Sequence, residues 1–446
     1  MESRERFTNQ QLNALIIPLV IEQLLAITVG FADTVMVSNV GESAVSAVSL
    51  VDSINILLIN VFAALGTGGA VVAAQFIGQG AKEKARFSAR QLMIITLLLS
   101  SIIMIICLIL NQSLLSLVFG KVDQDVMNNA VTYFFFSAIS YPFIALFNSG
   151  AALFRAIGNS KISMINSLVM NIINVVLNTI FIFGFHLGVL GAVVATLISR
   201  MSGCIVIMYM LRNRKNDIYI DNYKNLKMDL SYISKILQIG IPSGLENGMF
   251  QFGKILVQSL VATFGTYAIA ANAVSSNLAQ MMIIPGTAIG LAMVTVVGQC
   301  VGANEYEQAS NLVKKLMKIT FVSMTVLSLM IALLSPYIFP LYALSSKTTD
   351  LAYRCVWLHA IFAFTIWPLS FTLPNALRAA NDAKYTMIIS IASMWIFRYC
   401  FSFVLGNQFG LGLFGVWIAM IIDWGVRAIF FIYRYMSGKW KNKQLV

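Results

Sequence analysis

Long apolar stretches alternate with short polar connections along the whole chain of 446 residues. Because a helix rises ~1.5 Å per residue, about 20 apolar residues are enough to cross a hydrocarbon core of ~30 Å. The pattern predicts twelve transmembrane helices, with a longer polar segment between the sixth and the seventh. The predicted spans are 12–37, 46–77, 91–111, 130–153, 163–184, 188–211, 235–262, 268–300, 317–341, 351–377, 387–406 and 411–434.

The second half of the chain repeats the first at a constant shift of 224 residues. Internal duplication of this kind is typical of secondary transporters. Since each half has six spans, an even number, both halves begin and end on the same side of the membrane. The matched pairs are Pro18 with Pro242, Glu22 with Glu246, Gly41 with Gly265, Gly66 with Gly290, Gln75 with Gln299, Gly78 with Gly302, Ala85 with Ala309, Gly188 with Gly412 and Gly191 with Gly415.

These patterns predict an all-α, polytopic membrane protein of two six-helix bundles, related by a pseudo-two-fold axis along the membrane normal. We expect an N-terminal lobe at 1–211, a cytoplasmic linker at 212–232 and a C-terminal lobe at 233–446. Composition agrees, because 59% of the residues are hydrophobic and only 11% are charged, too few to cover a soluble protein.

The net charge of +12 would suggest nucleic acid if it were clustered on one soluble face. Most basic residues instead fall in connections that alternate onto one side, the positive-inside pattern. The charge therefore predicts topology and contact with anionic lipid, and no nucleic-acid partner. We expect a multi-pass protein of the cell (inner or plasma) membrane, with both termini cytoplasmic.

Acidic residues inside apolar spans are the first candidates for function, because a buried carboxylate costs roughly 2.5–3.5 kcal/mol on insertion scales. Glu22 and Asp33 are eleven residues apart on the first span and share one helical face. Glu22 has the repeat mate Glu246, so either a structural role or a cavity role is open for it. Asp33 has no acidic mate, since Val257 stands at the equivalent position. An unrepeated charge of this kind favours a functional role.

Polar residues of the fifth and sixth spans add oxygen ligands to the same half. Asn171, Asn174 and Asn178 recur at helical spacing along one face of the fifth span, and Thr196 lies on the sixth. Such amides often only join helices through hydrogen bonds. The second half, however, replaces Asn174 by Arg398 at the equivalent position. Carboxylate, amide and hydroxyl groups together suit a small cation or a proton relay.

Charges in the second half are mixed. Asp423 and Arg427 are spaced i, i+4 on the last span and are expected to pair. The predicted substrate cavity comprises Glu22, Glu246, Asn171 and Lys254. No nucleotide-binding loop, HExxH or GxSxG motif occurs, so the sequence does not predict an enzyme.

Several short segments, in this order and spacing, resemble the multidrug and toxic compound extrusion (MATE) transporters. They are GFADTVM at 30–36, QFIGQ at 75–79, FRAIGN at 154–159, NTIFIFG at 178–184 and GVLGAVVAT at 188–196. The resemblance covers essentially the whole chain. It implies two six-helix lobes and a cation-coupling site in the N-terminal lobe, formed by Asp33, Asn174, Asn178 and Thr196.

What the resemblance implies for ligands is a coupling ion and no cofactor. The ion would be a proton or sodium, with Asp33, Asn174 and Asn178 as the sodium ligands. The chain departs from the family in its C-terminal lobe, where some members carry acids on the seventh and tenth helices. Phe250 and Trp367 stand at those positions here. The sequence therefore does not support a cation site in the C-terminal lobe, because the acidic residues that would form it are absent.

The function expected from these features is antiport: export of amphiphilic organic cations or drugs in exchange for sodium or protons, by a monomer in the lipid bilayer. A lipid-linked oligosaccharide flippase of the same superfamily is an alternative. Basic residues such as Lys254, Arg200 and Arg398 favour the flippase, whereas the acids Asp33 and Glu246 oppose it. A membrane enzyme or receptor is disfavoured, because the connections are too short to hold a further domain.

Overall fold

The computed structural model describes residues 6–120, 123–221, 227–342 and 344–443, and within these ranges it contains helices and no β-strand. The N-terminal half contains α1 (Asn9–Ser38), α2 (Glu42–Gly78), α3 (Lys82–Ile109), α4 (Asn111–Phe119), α5 (Gln124–Ala156), α6 (Ser160–Asn178) with a π-helical extension (Thr179–Gly184), and α7 (Gly188–Met210).

The C-terminal half has a similar order of long helices, several of which are interrupted by π-helical or 3-10 turns. It contains α8 (Leu230–Ala262), α9 (Thr266–Met282), α10 (Ile284–Gly302), α11 (Tyr306–Ile338), a 3-10 turn (Phe339–Tyr342), α12 (Ser346–Thr365), a π-helical turn (Pro368–Thr372), α13 (Leu373–Ala379), α14 (Ala383–Ser393), a π-helical stretch (Met394–Cys400), α15 (Phe401–Phe403), a π-helical stretch (Val404–Gln408), α16 (Gly412–Met436) and a 3-10 turn (Lys439–Asn442).

The prediction of an all-α membrane protein with twelve spans is confirmed. Ten helices of the described ranges are each long and apolar enough to cross a bilayer, and α12 with Pro368–Ala379 adds a span bent by 59°. The remaining span is α8, which is 33 residues long. Polar side chains lower its mean hydropathy, among them Glu246, Asn247, Gln251, Lys254 and Gln258.

Two helix features were not predicted from the apolar pattern. The predicted span 268–300 is divided into α9 and α10, because Pro285 lies in the first turn of α10 and cannot donate a helical hydrogen bond. The short helix α4 follows α3 directly. The side-chain amide of its first residue, Asn111, donates to the carbonyl oxygen of Val131 on α5 at 3.0 Å.

The described residues form two compact units. The N-terminal unit is Asn9–Gly244, and the C-terminal unit comprises the described parts of Met1–Thr8 and of Leu245–Val446. Arg6 belongs to the C-terminal unit because its guanidinium pairs with the Glu305 carboxylate at 2.9 Å. This hydrogen bond holds the pKa of the Glu305 carboxyl below its ordinary value.

The polar segment before α8 packs against the end of α3 within the N-terminal unit. The side-chain amide of Gln91 donates to the carbonyl oxygen of Lys227 at 2.9 Å and accepts from the backbone of Asp229 at 3.0 Å. The guanidinium of Arg86 lies 4.1 Å from the ring centroid of Tyr219. Residues 222–226 of the predicted linker 212–232 lie outside the described ranges.

Backbone geometry repeats with the sequence. Gly41 and Gly265 precede α2 and α9 with φ of 135° and 100°, and Gly188 and Gly412 begin α7 and α16 with φ of 56° and 54°. A residue with a β-carbon rarely adopts such angles, so glycine is favoured at both turns of each half. The repeated glycines therefore mark equivalent breaks between helices in the two units.

Candidate functional site

A cavity of about 120 Å³ lies inside the N-terminal unit, between α1, α2, α5, α6 and α7. Four polar residues that line it are Asp33, Asp52, Asn178 and Thr196. Asp33 is placed there by α1, where Thr34 is its polar neighbour in an otherwise apolar turn and also lines the cavity. Neither carboxylate forms an ion pair with a lysine or arginine in the described parts of the chain.

A chain of hydrogen bonds joins the four residues predicted to couple a cation. The side-chain amide of Asn178 donates to Asp33 Oδ1 at 2.8 Å and to Asn174 Oδ1 at 3.2 Å. The amide of Asn174 in turn donates to Thr196 Oγ1 at 3.3 Å. The spacing i, i+4 on α6 places both asparagines on the face turned toward α1 and α7. The structure thus brings all four residues together.

The side-chain oxygen of Asn178 is buried next to Asp33 and lacks a hydrogen-bond donor in the described ranges. Asn178 is only 2% exposed, and its Oδ1 accepts no hydrogen bond from the described residues. It is the last residue of α6 and directly precedes the π-helical extension Thr179–Gly184. Such π-helical segments are frequent at functional sites. A buried acceptor without a donor is costly, and a bound cation or water would satisfy it.

Asp52 is a second carboxylate of this cavity and was not among the predicted site residues. It accepts hydrogen bonds from the side-chain amide of Asn55 at 3.1 Å and from the hydroxyl of Tyr133 at 3.4 Å. Its position in the repeat is occupied by Ser276 in the second half. The criterion applied to Asp33, an unrepeated acid within an apolar span, would have found it.

Arg200 of α7 does not line the cavity, but it is close enough to interact electrostatically with both Asp33 and Asp52. Arg200 donates to the hydroxyl of Ser140 at 2.7 Å, and Ser140 lies on α5, one turn beyond Ser137. The cavity lining itself contains no basic residue among its described members. Its electrostatic character is therefore acidic.

Glu22 and Glu246 occupy equivalent buried clusters, one in each unit, and neither lines the cavity of its unit. Glu22 accepts from the hydroxyl of Ser163 at 2.8 Å and lies 3.6 Å from the guanidinium of Arg155. Glu246 pairs with Arg378 at 2.7 Å. Although Glu22 and Asp33 share a helical face, only Asp33 reaches the N-terminal cavity.

Of the other two residues predicted to form the substrate cavity, only Lys254 lines a described cavity. The side-chain nitrogen of Asn171 is buried and has no hydrogen-bond partner among the described residues. Lys254 lines a cavity of about 300 Å³ in the C-terminal unit, together with Arg398. The expected pair on α16 is formed, with Arg427 Nε 2.9 Å from Asp423 Oδ1.

A duplicated, wholly helical bundle with twelve apolar spans and a carboxylate site in its interior defines a multi-pass membrane transporter. A family model described as MatE matches residues 18–180 and 242–404, so the chain belongs to the MatE family. The two matched blocks are themselves 224 residues apart, the same shift as in the sequence repeat. Family membership predicted from the sequence is confirmed. As the family consists of transporters, the protein is not an enzyme.

Similar proteins match this chain over nearly its whole length. The "uncharacterized transporter YisQ" of Bacillus subtilis is 27% identical over 96% of this chain and 94% of its own. The "probable multidrug resistance protein NorM" of Thermotoga maritima is 24% identical, covering 98% and 94% of the two chains. A solved structure described as an outward-facing MATE family transporter of the MOP superfamily has a TM-score of 0.90, at 24% identity and 97% and 96% coverage. That likeness shows a shared fold.

Proposed function

We propose that this protein is a secondary active antiporter that exports amphiphilic organic cations, drugs among them, in exchange for sodium ions or protons. The observation that carries the proposal is the Asp33 carboxylate, which lines an interior cavity and has an amide donor but no ion-pair partner in the described ranges. Relatives named as multidrug resistance proteins support drugs as the exported class.

The proposed exchange follows from competition between cations for the Asp33 carboxylate. A carboxylate in an apolar surround is stabilised by whatever cation compensates it. A sodium ion, a proton or a cationic substrate can each do so, and binding of one disfavours the others. An inward ion gradient then drives the substrate outward, and the membrane potential adds ~2.3 kcal/mol per charge at 100 mV.

Sodium is favoured as the coupling ion by the ligands beside Asp33. The carboxylate, Asn174 Oδ1, Thr196 Oγ1 and the unpartnered Asn178 Oδ1 are hard oxygen ligands. A proton needs only the carboxylate and would leave Asn178 Oδ1 unsatisfied. We also propose a monomer in the cell membrane with both termini cytoplasmic, and lobes 1–211 and 233–446 joined by the linker 212–232.

Dye transport in everted membrane vesicles tests the proposal. A sodium gradient or a proton gradient is imposed across the vesicle membrane in separate experiments. Uptake of a fluorescent cationic dye is then followed. Asp33→Asn should abolish uptake under either gradient. Asp350→Asn is the control, because Asp350 is an exposed acid on α12 that pairs with Arg354 at 3.0 Å.

Undiminished gradient-driven uptake by Asp33→Asn would remove the mechanism. Uptake driven by a proton gradient and indifferent to sodium would assign the proton as the coupling ion and contradict the role given to Asn178. A control variant as inactive as Asp33→Asn would mean that loss of a negative charge anywhere impairs the protein.

A further inference from the structure

The cavity of the C-terminal unit is formed at positions equivalent to those of the N-terminal cavity. Under the shift of 224 residues, seven lining positions of one cavity map onto lining positions of the other. The duplication has thus built two cavities at equivalent places in two bundles. The pairs are Gly30 with Lys254, Asp33 with Val257, Thr34 with Gln258, Val48 with Asn272, Asp52 with Ser276, Ala192 with Val416, and Thr196 with Met420.

The charge of the second cavity is reversed. Both carboxylate positions of the N-terminal cavity carry uncharged side chains here, while a glycine position carries Lys254. Arg398, the counterpart of Asn174, also lines the C-terminal cavity, and none of its described lining residues is acidic. The lining of this cavity therefore carries two cationic side chains and no anionic one.

The nearby acid Asp423 does not neutralise both cations. It is fully buried, pairs with Arg427 at 2.9 Å and accepts from the hydroxyl of Ser393 at 2.6 Å. Its other oxygen is 4.0 Å from a guanidinium nitrogen of Arg398. Lys254 forms no hydrogen bond or ion pair with the described residues, and its side chain is exposed to the cavity. One carboxylate thus faces two arginines, and the ammonium of Lys254 is left uncompensated.

Aromatic rings line the same cavity. Trp367 stacks on Phe371 with ring centroids 5.0 Å apart, and Trp424 meets Phe371 edge-on at 6.1 Å. Trp424 is only 3% exposed, and its Nε1 has no acceptor among the described residues although the side chain lines the cavity. The lining therefore includes flat apolar rings as well as the two cationic side chains.

We propose that this cavity binds an aromatic carboxylate, a planar one- or two-ring compound with a single negative charge. The ring packs against Trp367 and Phe371, and the carboxylate accepts hydrogen bonds beside Lys254 and Arg398. The volume of about 300 Å³ is at the lower end of the ~300–1,000 Å³ usual for small-molecule pockets, which suits such a compound. Organic cations of the same size are excluded by like charge.

This site goes beyond the exchange at Asp33, because it needs neither the coupling ion nor the N-terminal cavity. It extends the compounds that the protein can bind to anions, and it predicts opposite charge selectivity in the two units.

Equilibrium binding to the purified full-length protein in nanodiscs of uncharged lipid tests the proposal, with empty nanodiscs as background. The probe is tritiated 2-naphthoate, competed by unlabelled 2-naphthoate, 2-naphthamide or 2-naphthylmethylammonium, which differ in charge but little in size. Naphthoate should compete at about tenfold lower concentration than the amide or the ammonium compound, the ratio expected for a charge-assisted hydrogen bond. An equal or tighter affinity for the ammonium compound would overturn the proposal, as would no naphthoate binding above background.

Variants locate the probe. Lys254→Met should weaken naphthoate binding about tenfold or more, whereas Lys254→Arg, which keeps the charge, should retain it. Lys314→Met is the control, because Lys314 is an exposed lysine of α11 outside the cavity. Asp33→Asn should bind naphthoate as the unmodified protein does, which separates this site from the proposed exchange. Unchanged binding by Lys254→Met, or equal losses in Lys254→Met and Lys314→Met, would refute the assignment.

Discussion

The ion pair between Glu246 and Arg378 holds α8 against α13 inside the C-terminal unit. Arg378 Nη2 lies 2.7 Å from Glu246 Oε1, and the two side chains are 14% and 8% exposed. Hydroxyls of Ser390 and Thr386 donate to the same carboxylate at 2.6 and 3.4 Å. Arg378→Gln would leave a buried negative charge with hydroxyl donors only. Breaking a buried pair in this way costs ~3–5 kcal/mol, and the remaining hydroxyls place our expectation near ~3 kcal/mol.

Removing both charges should cost much less than removing one. The variant Glu246→Gln with Arg378→Gln has no buried charge to desolvate, so it should be more stable than Arg378→Gln alone. We expect a coupling energy of about 2–3 kcal/mol from the four-protein cycle. The equivalent pair of the N-terminal unit, Glu22 with Arg155, is the matched comparison. Its 3.6 Å separation exceeds hydrogen-bonding distance, so its coupling energy should be smaller.

Denaturant unfolding of the purified proteins, followed by tryptophan fluorescence, measures both cycles. The reasoning is refuted by a double variant as unstable as Arg378→Gln, or by a coupling between Glu22 and Arg155 as large as that between Glu246 and Arg378. The same proteins can be assayed for dye export. A Glu246→Gln variant with unchanged unfolding but weaker dye affinity would instead place Glu246 in the substrate cavity, as the sequence predicts.

Three further changes test the N-terminal cavity, the helix packing and a loop carboxylate. Asp52→Asn removes one of two negative charges facing the coupling ion, so the ion concentration for half-maximal export should rise about tenfold; an unchanged ion dependence would contradict this. Gly68→Ala would place a β-carbon 2.4 Å from a backbone oxygen of α8 and should cost ~1–3 kcal/mol in unfolding free energy. Gly425→Ala, with no atom within 4 Å of its β-carbon, should cost far less. Burial raises the pKa of Asp382, but hydrogen bonds from Arg434 and Lys443 outweigh this and hold it below its ordinary value of 3.8. Its stabilisation is therefore present above pH 3.8 and lost as the pH falls through the lower folded pKa, so Asp382→Asn should be less stable at neutral pH, and the gap should close only in stronger acid.

The helices and the duplication could be predicted from the sequence because both depend on local patterns. Apolar length decides whether a segment spans a bilayer, and a fixed shift is visible without knowledge of contacts. The grouping of Asp33 with Asn178 could also be anticipated, since an unrepeated acid and an amide strip stood out against the other half. Their hydrogen bond of 2.8 Å joins residues 145 positions apart in the chain.

Hydrogen-bond and ion-pair partners that lie on distant helices could not be predicted from the sequence. Nothing local indicates that Glu22 meets Ser163, or that Arg6 pairs with Glu305, because these contacts depend on how helices pack in three dimensions. The π-helical segments are likewise invisible in the apolar pattern, since one extra residue in a turn hardly alters hydropathy. Asp52 differs from these residues, because it is an unrepeated acid within an apolar span, a feature that is visible in the sequence.

The two units differ in the charge of their cavities but share their buried ion pairs and their helix-breaking glycines. This difference has a physical cause. The paired glutamate and arginine recur in both units, as do the glycines with left-handed φ before α2 and α9, because their loss would leave a buried charge or a strained turn. Side chains that line a cavity face open space on one side. A change there, such as glycine to Lys254 or Asp33 to valine across the repeat, alters the cavity charge at little cost to the bundle. Duplication of a helical bundle thus permits one cavity to become acidic and its counterpart basic while the fold stays the same.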